Sequence, residues 1–246
     1  LEASEYAAMF EVEDVHWWYQ GMEHITGAIL QNLYPNPENL AILDAGCGTG
    51  RALRYLFPEF GKATGVDISP LALSLCRRRD LHGLSQADVT ALPFPSANFD
   101  LVTSFDVLYS RHVAHDLAAL LEFHRVLKPK GHLLIRLPAY PWLSGKHGIV
   151  VHTARRYTRS SLSELLHQSG FVVQHLSYAN CFLFPFVALK RLGERLAPSA
   201  APQSDLGLGN GIFNPLLLHI LSAEAPRVVR TGLPFGSSVI AVARKS

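Results

Sequence analysis

The stretch Leu43-Asp44-Ala45-Gly46-Cys47-Gly48-Thr49-Gly50 (LDAGCGTG) decides the fold. An apolar run, Leu40 to Ala45, enters it as a strand would, and helical spacing from Ala52 to Phe57 leaves it. Closely spaced glycines between a strand and a helix let the backbone approach a ligand with no Cβ in the way, and the unpaired N–H groups of a helix start attract negative charge. Two ligand classes use such a turn. A dinucleotide requires the spacing GxGxxG, with its third glycine inside the helix. Here the glycines are Gly46, Gly48 and Gly50, and Arg51 stands where that third glycine would be, which disfavours the close helix–strand packing of a nicotinamide-dependent oxidoreductase.

Outward from the turn, strand-like and helix-like segments alternate. Ala63 to Asp67, Phe99 to Phe105, His132 to Leu137 and Phe171 to Leu176 read as strands. Pro70 to Arg79 (with Ser69 as N-cap), His115 to Leu127 and Ser160 to Gln168 read as helices. Such β-α-β-α alternation predicts a parallel sheet covered on both faces. The terminal run Ser238 to Arg244 (SVIAVAR) is expected to close an edge of that sheet.

The alternation divides the chain into an N-terminal helical and aromatic lid (residues 1–38), a core (39–177), a helical cap insertion (178–236) and a final core strand (237–246). The lid carries His16-Trp17-Trp18-Tyr19. Within the cap, Leu189, Leu192 and Leu196 share a helix face, while Lys190, Arg191, Glu194 and Arg195 face elsewhere. Residues 138–159 form a long loop beyond a strand carboxyl end, and residues 198–211 read as a flexible linker.

Composition narrows the function. With 246 residues, 48% hydrophobic and 17% charged, the chain is long enough for one full core. A net charge of +2, with basic residues only in short groups, is weaker than a nucleic-acid footprint requires. Cys47, Cys76 and Cys181 form no CxxC pair, so neither a zinc site nor a disulfide framework is expected, and a reducing, cytoplasmic setting fits; no N-terminal signal pattern is visible. The apolar runs fall short of the roughly 20 residues that span a bilayer. Those near Phe182 to Leu189 would pack the cap, form a homodimer contact, or touch a membrane surface or hydrophobic acceptor. Monomer and homodimer both stay open.

Two carboxylates follow the turn at regular intervals. Asp67 ends the second strand in GVDIS, where it can accept two hydrogen bonds from ribose hydroxyls. Asp88, in Ala87-Asp88-Val89, can receive an adenine amino group. Either could instead serve as an ordinary helix cap or turn former.

LDAGCGTG, GVDIS, ADVTALPFPSANFDLVTSFDVL and FHRVLKPKGHLLIRLP, in this order, resemble the successive motifs of class I S-adenosylmethionine-dependent methyltransferases of the type 11 group, over about residues 40–138. The resemblance implies a Rossmann-like α/β fold: a seven-stranded, mostly parallel sheet with its last strand antiparallel, helices on both faces and a helical cap. It implies S-adenosylmethionine as cofactor and S-adenosylhomocysteine as product. It assigns Asp44, Ala45, Gly46, Cys47, Gly48 and Gly50 to the methionyl part, Asp67 with Ile68 to the ribose, Asp88 and Val89 to the adenine edge, and Ser104 with Phe105 to the floor. Trp18 and Tyr19 resemble an N-terminal aromatic cover of the cofactor. Lys130 in KPKG departs from the family, which commonly has glycine there.

The cofactor's sulfonium makes its methyl electrophilic, so the protein must chiefly align an acceptor in line and exclude water. A base is needed when the acceptor keeps its proton near pH 7; His147 and His152 are the candidates by position. Tyr109, His112, Tyr140, Trp142, Arg156 and Tyr157 follow strand carboxyl ends and are candidates to touch the acceptor. The string His152 to Thr158 resembles an H-x-x-R-R-Y-T stretch of relatives, and its Arg and Tyr residues would alternatively pin the loop. His112-x-x-His115-Asp116 has spacing for two metal ligands on a helix but no third, and no metal is expected. The position after strand four reads Ser104-Phe105-Asp106-Val107-Leu108, without the N/D/S-P-P-aromatic string that grips a flipped base. A small, partly apolar acceptor is therefore expected rather than nucleic acid. A catalytically idle cofactor-binding protein is the other reading of these residues.

Overall fold

The computed structural model describes residues 3–144, 153–196 and 211–246. Seven strands form one sheet in the order β3-β2-β1-β4-β5-β7-β6. They are β1 (Leu40–Ala45), β2 (Gly61–Asp67), β3 (Leu84–Gln86), β4 (Phe99–Phe105), β5 (Leu127–Pro138), β6 (Phe171–Ala179) and β7 (Ser238–Lys245). Strand β7 runs antiparallel to both neighbours, β5 and β6, and the pairs from β3 through to β5 are parallel. The Rossmann-like sheet with a reversed last strand is thus the observed architecture.

Alternation along the strands builds two cores. Leu43, Val102, Leu133, Ile135 and Ala241 face helices α5 (Asp116–Val126) and α6 (Arg159–Gln168). Ile42, Leu101, Leu134, Ile240 and Val242 face the other way, onto α2 (Trp17–Leu33). Helix α2 buries Met22, Ile25, Ile29 and Leu30 on one stripe, the spacing that lays a helix flat on a sheet.

The structure revises several expectations. Strand β7 is interior rather than at an edge, because Ser238 to Ala243 are buried on both faces; its continuous apolar run is the mark of a doubly covered strand. The edge belongs to β6, where Val172 is 47% exposed. Strand β3 has only three residues, too few to register as an apolar pattern. The regions expected as lid and cap share the work of covering the sheet. Helix α2 lies against α8 (Asn214–Ser222) and α9 (Ala225–Arg230), whose Leu221, Ala225 and Val228 join the same core. Helix α7 (Phe184–Leu196) turns its leucines outward: Leu189 and Leu192 are exposed while Arg191 is buried. The side chain of Leu196 lies outside the described residues.

Candidate active site

One cavity of about 730 Å³ crosses the carboxyl ends of the parallel strands, from Asp88 beyond β3 to Asn180 beyond β6. Ligands of open α/β sheets bind at this edge. The glycine turn forms its floor at β1. Gly46 has φ +88°, and a Cβ there would stand 2.2 Å from a Val107 methyl, so only glycine fits. Gly50, at φ +84°, is the N-cap of α3 (Arg51–Tyr55) and turns the chain into it.

Asp67 is built into the turn from below. Its Oδ2 accepts the Gly48 N–H at 2.9 Å, and Oδ1 accepts the Ser69 N–H at 2.9 Å and the Tyr6 hydroxyl at 3.4 Å. A carboxylate has about four acceptor positions, so capacity for ribose hydroxyls remains. Burial raises its pKa, and these three donors oppose the rise. Among the described residues both hydrogen bonds to the Asp88 carboxylate come from Thr90 and land on Oδ1, which leaves Oδ2 for a ligand. Asp44 accepts the Thr103 hydroxyl at 2.8 Å, and its pKa is pushed up to about 7 by burial, with the Asp67 charge adding to the rise. Glycine cradle, two carboxylates with spare acceptor capacity and an apolar Ile68–Val89 edge together fit a nucleoside with a charged tail.

The N-terminal segment is clamped over this half of the cavity. Helix α1 (Ala3–Val12) sets Tyr6 against Ala72 and Leu75 of α4 (Pro70–Arg78). Just beyond α1, Glu13 takes Arg79 Nη2 at 2.7 Å and the Thr49 hydroxyl, while Asp14 takes Arg79 and Arg51. Arg51 also reaches Glu23 at 3.0 Å. The residue that breaks the dinucleotide spacing is therefore a tether for the N-terminus.

The aromatic run opens α2. His16 is its N-cap, with Nδ1 accepting the Trp18 N–H, and Trp18 and Tyr19 meet edge to face at 5.1 Å beside the cavity. Arg136, on β5, slots between the Trp18 and Phe105 rings at 5.0 and 5.1 Å and pairs with Asp106 at 2.7 Å. No spacing marked Arg136 in advance, because its partners come from two distant segments, α2 and the end of β4.

The expected site residues separate by position. Asp44, Gly46, Cys47, Gly48, Asp67 and Ile68 line the cavity. So do Asp88, Val89, Phe105, Trp18 and Tyr19 on the cofactor side, and Tyr109, His112 and Arg156 on the other. Ala45, Gly50 and Ser104 do not; Ser104 is fully buried and gives its hydroxyl to the Ala45 carbonyl, bracing β4 against β1. Three acceptor candidates also stand outside the cavity lining. Tyr140 stacks between Trp142 and Tyr178. Tyr157 is buried with its hydroxyl on Leu108 O and Asp116, and Arg155 holds the Leu108, Val113 and Ala114 carbonyls. The R-R-Y string thus splits: Arg155 and Tyr157 anchor the 108–116 loop, and Arg156 reaches the cavity. His115 is the N-cap residue of α5, so His112 precedes the helix on which two metal ligands would need to sit; among the described residues no metal-binding cluster forms. His147 and His152 lie outside the described residues.

Fold and site together define a Rossmann-like α/β domain with a ligand-sized cavity across the carboxyl ends of its parallel strands. Comparison with known proteins gives the family. Residues 43–135 match the methyltransferase domain family. An uncharacterized methyltransferase of Synechocystis is 31% identical over 166 residues, 62% of this chain and 76% of the relative. An uncharacterized methyltransferase of Bacillus subtilis is 37% identical over 137 residues, 53% of this chain and 57% of the relative. The chain belongs to the class I S-adenosylmethionine-dependent methyltransferases. Among solved structures, the putative methyltransferase in the Haloferax volcanii Trm112 activator complex superposes with a TM-score of 0.61 at 23% identity, covering 98% of this chain and 93% of that one, a likeness of fold. The first curated relatives are matched over only 57%, 35% and 32% of their length. No helix among the described residues is long and apolar enough to cross a membrane.

Proposed function

We propose that this chain transfers a methyl group from S-adenosylmethionine to a small, partly apolar acceptor. The observation that carries the reading is the continuity of one cavity from Asp88 and Asp67, past the Gly46–Gly48 turn, to Tyr109 and Arg156. When bound, S-adenosylmethionine supplies a methyl made electrophilic by its sulfonium. Asp88 and the Val89 backbone would hold the adenine edge, Asp67 the ribose and the turn with Asp44 the methionyl group, while Phe105 floors the site. Trp18 and Tyr19 exclude water, which matters because a dry site preserves alignment. The N-terminal segment acts as the cover of the cofactor half, tethered through Arg51 and Arg79.

On the acceptor side, burial raises the Tyr109 pKa, so its hydroxyl keeps its proton and donates to an acceptor oxygen. His147 and His152 are the proposed bases for an acceptor that carries a proton at pH 7.

Isothermal titration with S-adenosylmethionine and S-adenosylhomocysteine tests the cofactor assignment. Both bind the wild type, and Asp67→Asn, which keeps an acceptor oxygen but loses the charge, weakens both by about tenfold or more. Absence of binding to the wild type sinks the reading. Binding without transfer across a screen of phenols, acids, amines and lipids would instead favour an idle cofactor-binding protein.

A further inference from the structure

The cavity is electrically divided. Around the turn its lining carboxylates include Glu5, Glu13, Glu23, Asp44, Asp67 and Asp88, against one lining cation among the described residues, Arg51, which is paired with Asp14 and Glu23. Beyond β4 the balance reverses. There Asp106 is the lining carboxylate among the described residues, and it is bound to Arg136 at 2.7 Å. Three more cations line the cavity: Arg156 from the segment after β5, and Lys190 and Arg191 from α7, the helix that follows β6.

Helix α7 is oriented against its own hydrophobicity. Leu189 and Leu192 are 66% and 53% exposed, while Arg191 between them is 7% exposed. Burying a leucine is favourable, whereas burying a guanidinium costs free energy unless it is paired. The helix thus gives up its apolar stripe to direct Arg191 inward. Arg156, Lys190 and Arg191 have interactions of their own within the protein. A guanidinium nevertheless carries five N–H donors and an ammonium three, so each can be shared with a ligand.

Neutral hydrogen-bonding groups converge on the same end. Asn180 is buried, bonds Ser237 Oγ at 2.8 Å through Nδ2, and leaves its buried Oδ1 without a partner. Rotating the amide by a half-turn keeps the contact, since the Ser237 hydroxyl then donates to Oδ1, and presents the NH₂ in place of the orphaned oxygen. The walls between are apolar, from Val113, Leu143 and Val187.

We infer that the methyl acceptor is an anion, a carboxylate or phosphate on an apolar body, with its charged group held at the β6 end of the cavity by Arg156, Lys190 and Arg191. This rests on the methyltransferase reading above and names the substrate class for that site.

The test uses the full chain saturated with S-adenosylhomocysteine and four probes of similar size: 3-phenylpropionate, phenyl phosphate, benzyl alcohol and benzylamine. Calorimetric titration should rank at least one anion about tenfold or more above the alcohol, with the amine weakest, as charge-assisted hydrogen bonds require. The better anion identifies the head group, and equal affinities still mark an anion site. Lys190→Gln and Arg191→Gln should each lower anion affinity about tenfold while leaving the alcohol and S-adenosylhomocysteine within about twofold. Thermal melts check that both variants fold, and Lys190→Gln carries the test if Arg191→Gln does not. Anions that bind no better than the alcohol, or variants that bind them as wild type does, would overturn the inference. Failure to bind S-adenosylhomocysteine would instead strike the cofactor reading beneath it.

Discussion

Arg79 Nη2 lies 2.7 Å from Glu13 Oε1, and the two side chains are 6% and 3% exposed. This ion pair joins residues 66 apart in sequence and fixes the N-terminal segment over the glycine turn. Removing one member strands the other, a loss of roughly 3–5 kcal/mol for a buried pair. Arg79→Met should therefore destabilise the protein by about 3 kcal/mol in urea unfolding, and weaken S-adenosylhomocysteine binding. Adding Glu13→Gln, which removes the stranded charge and keeps an acceptor for Thr49, should recover part of the stability. No recovery in the double variant would mean the pair is not what holds the segment.

Gly46 faces two constraints, a φ of +88° and the Val107 methyl 2.2 Å from a Cβ. Gly46→Ala is expected to lose at least about 2 kcal/mol and most cofactor affinity. Val107→Ala in the same chain relieves the contact without changing φ, so it should restore only part of both. Full restoration would show the backbone angle to be harmless.

Burial raises the Asp44 carboxyl from an ordinary 3.8 to about 7. A raised carboxyl pKa means the folded state holds its proton more tightly than the unfolded chain. Its favourable contribution is therefore complete below about pH 4 and is lost as pH rises through about 7. Asp44→Asn, which can still accept the Thr103 hydroxyl, should show a flatter stability profile between about pH 5 and pH 8. Parallel profiles for the two proteins in urea titrations would contradict the assignment.

Lys130 occupies φ +65° early in β5, within the break in register between the Phe99–Leu127 and Leu101–His132 pairs. A side chain there costs about 1–2 kcal/mol, offset in part by the greater unfolded-state freedom of glycine. Lys130→Gly should accordingly raise stability by about 0.5–1 kcal/mol. A lower urea midpoint with an unchanged slope would refute it.

Several features were legible along the chain because local chemistry dictates them. The Ser69 cap accepts the Ala72 N–H as the sequence around Pro70 requires, and glycines 46, 48 and 50 all adopt positive φ. Asp67 reaches the turn because it ends the strand beside β1. Hydrophobic alternation foretold a covered sheet, though not the rank of β7 within it. Strand order is set by which faces remain to be buried once helices have docked, and a terminal position in sequence says nothing about that.

The acceptor end was harder to read for a physical reason. Arg136, Asn180, Lys190 and Arg191 line the cavity from β5, the residue after β6 and α7, and each carries local signals of an ordinary strand, turn or solvated helix face. Conversely, Tyr140, Trp142 and Tyr157 carried the aromatic character of binding residues but were claimed by stacking and anchoring contacts. By itself, then, the sequence determined the αβ alternation, the glycine cradle and its carboxylates, since these depend on backbone conformation and neighbours a few residues away. Tertiary structure alone decided the clamp of Arg79 on Glu13 and the inward turn of Arg191, because charge pairing and burial depend on which distant segments packing brings together.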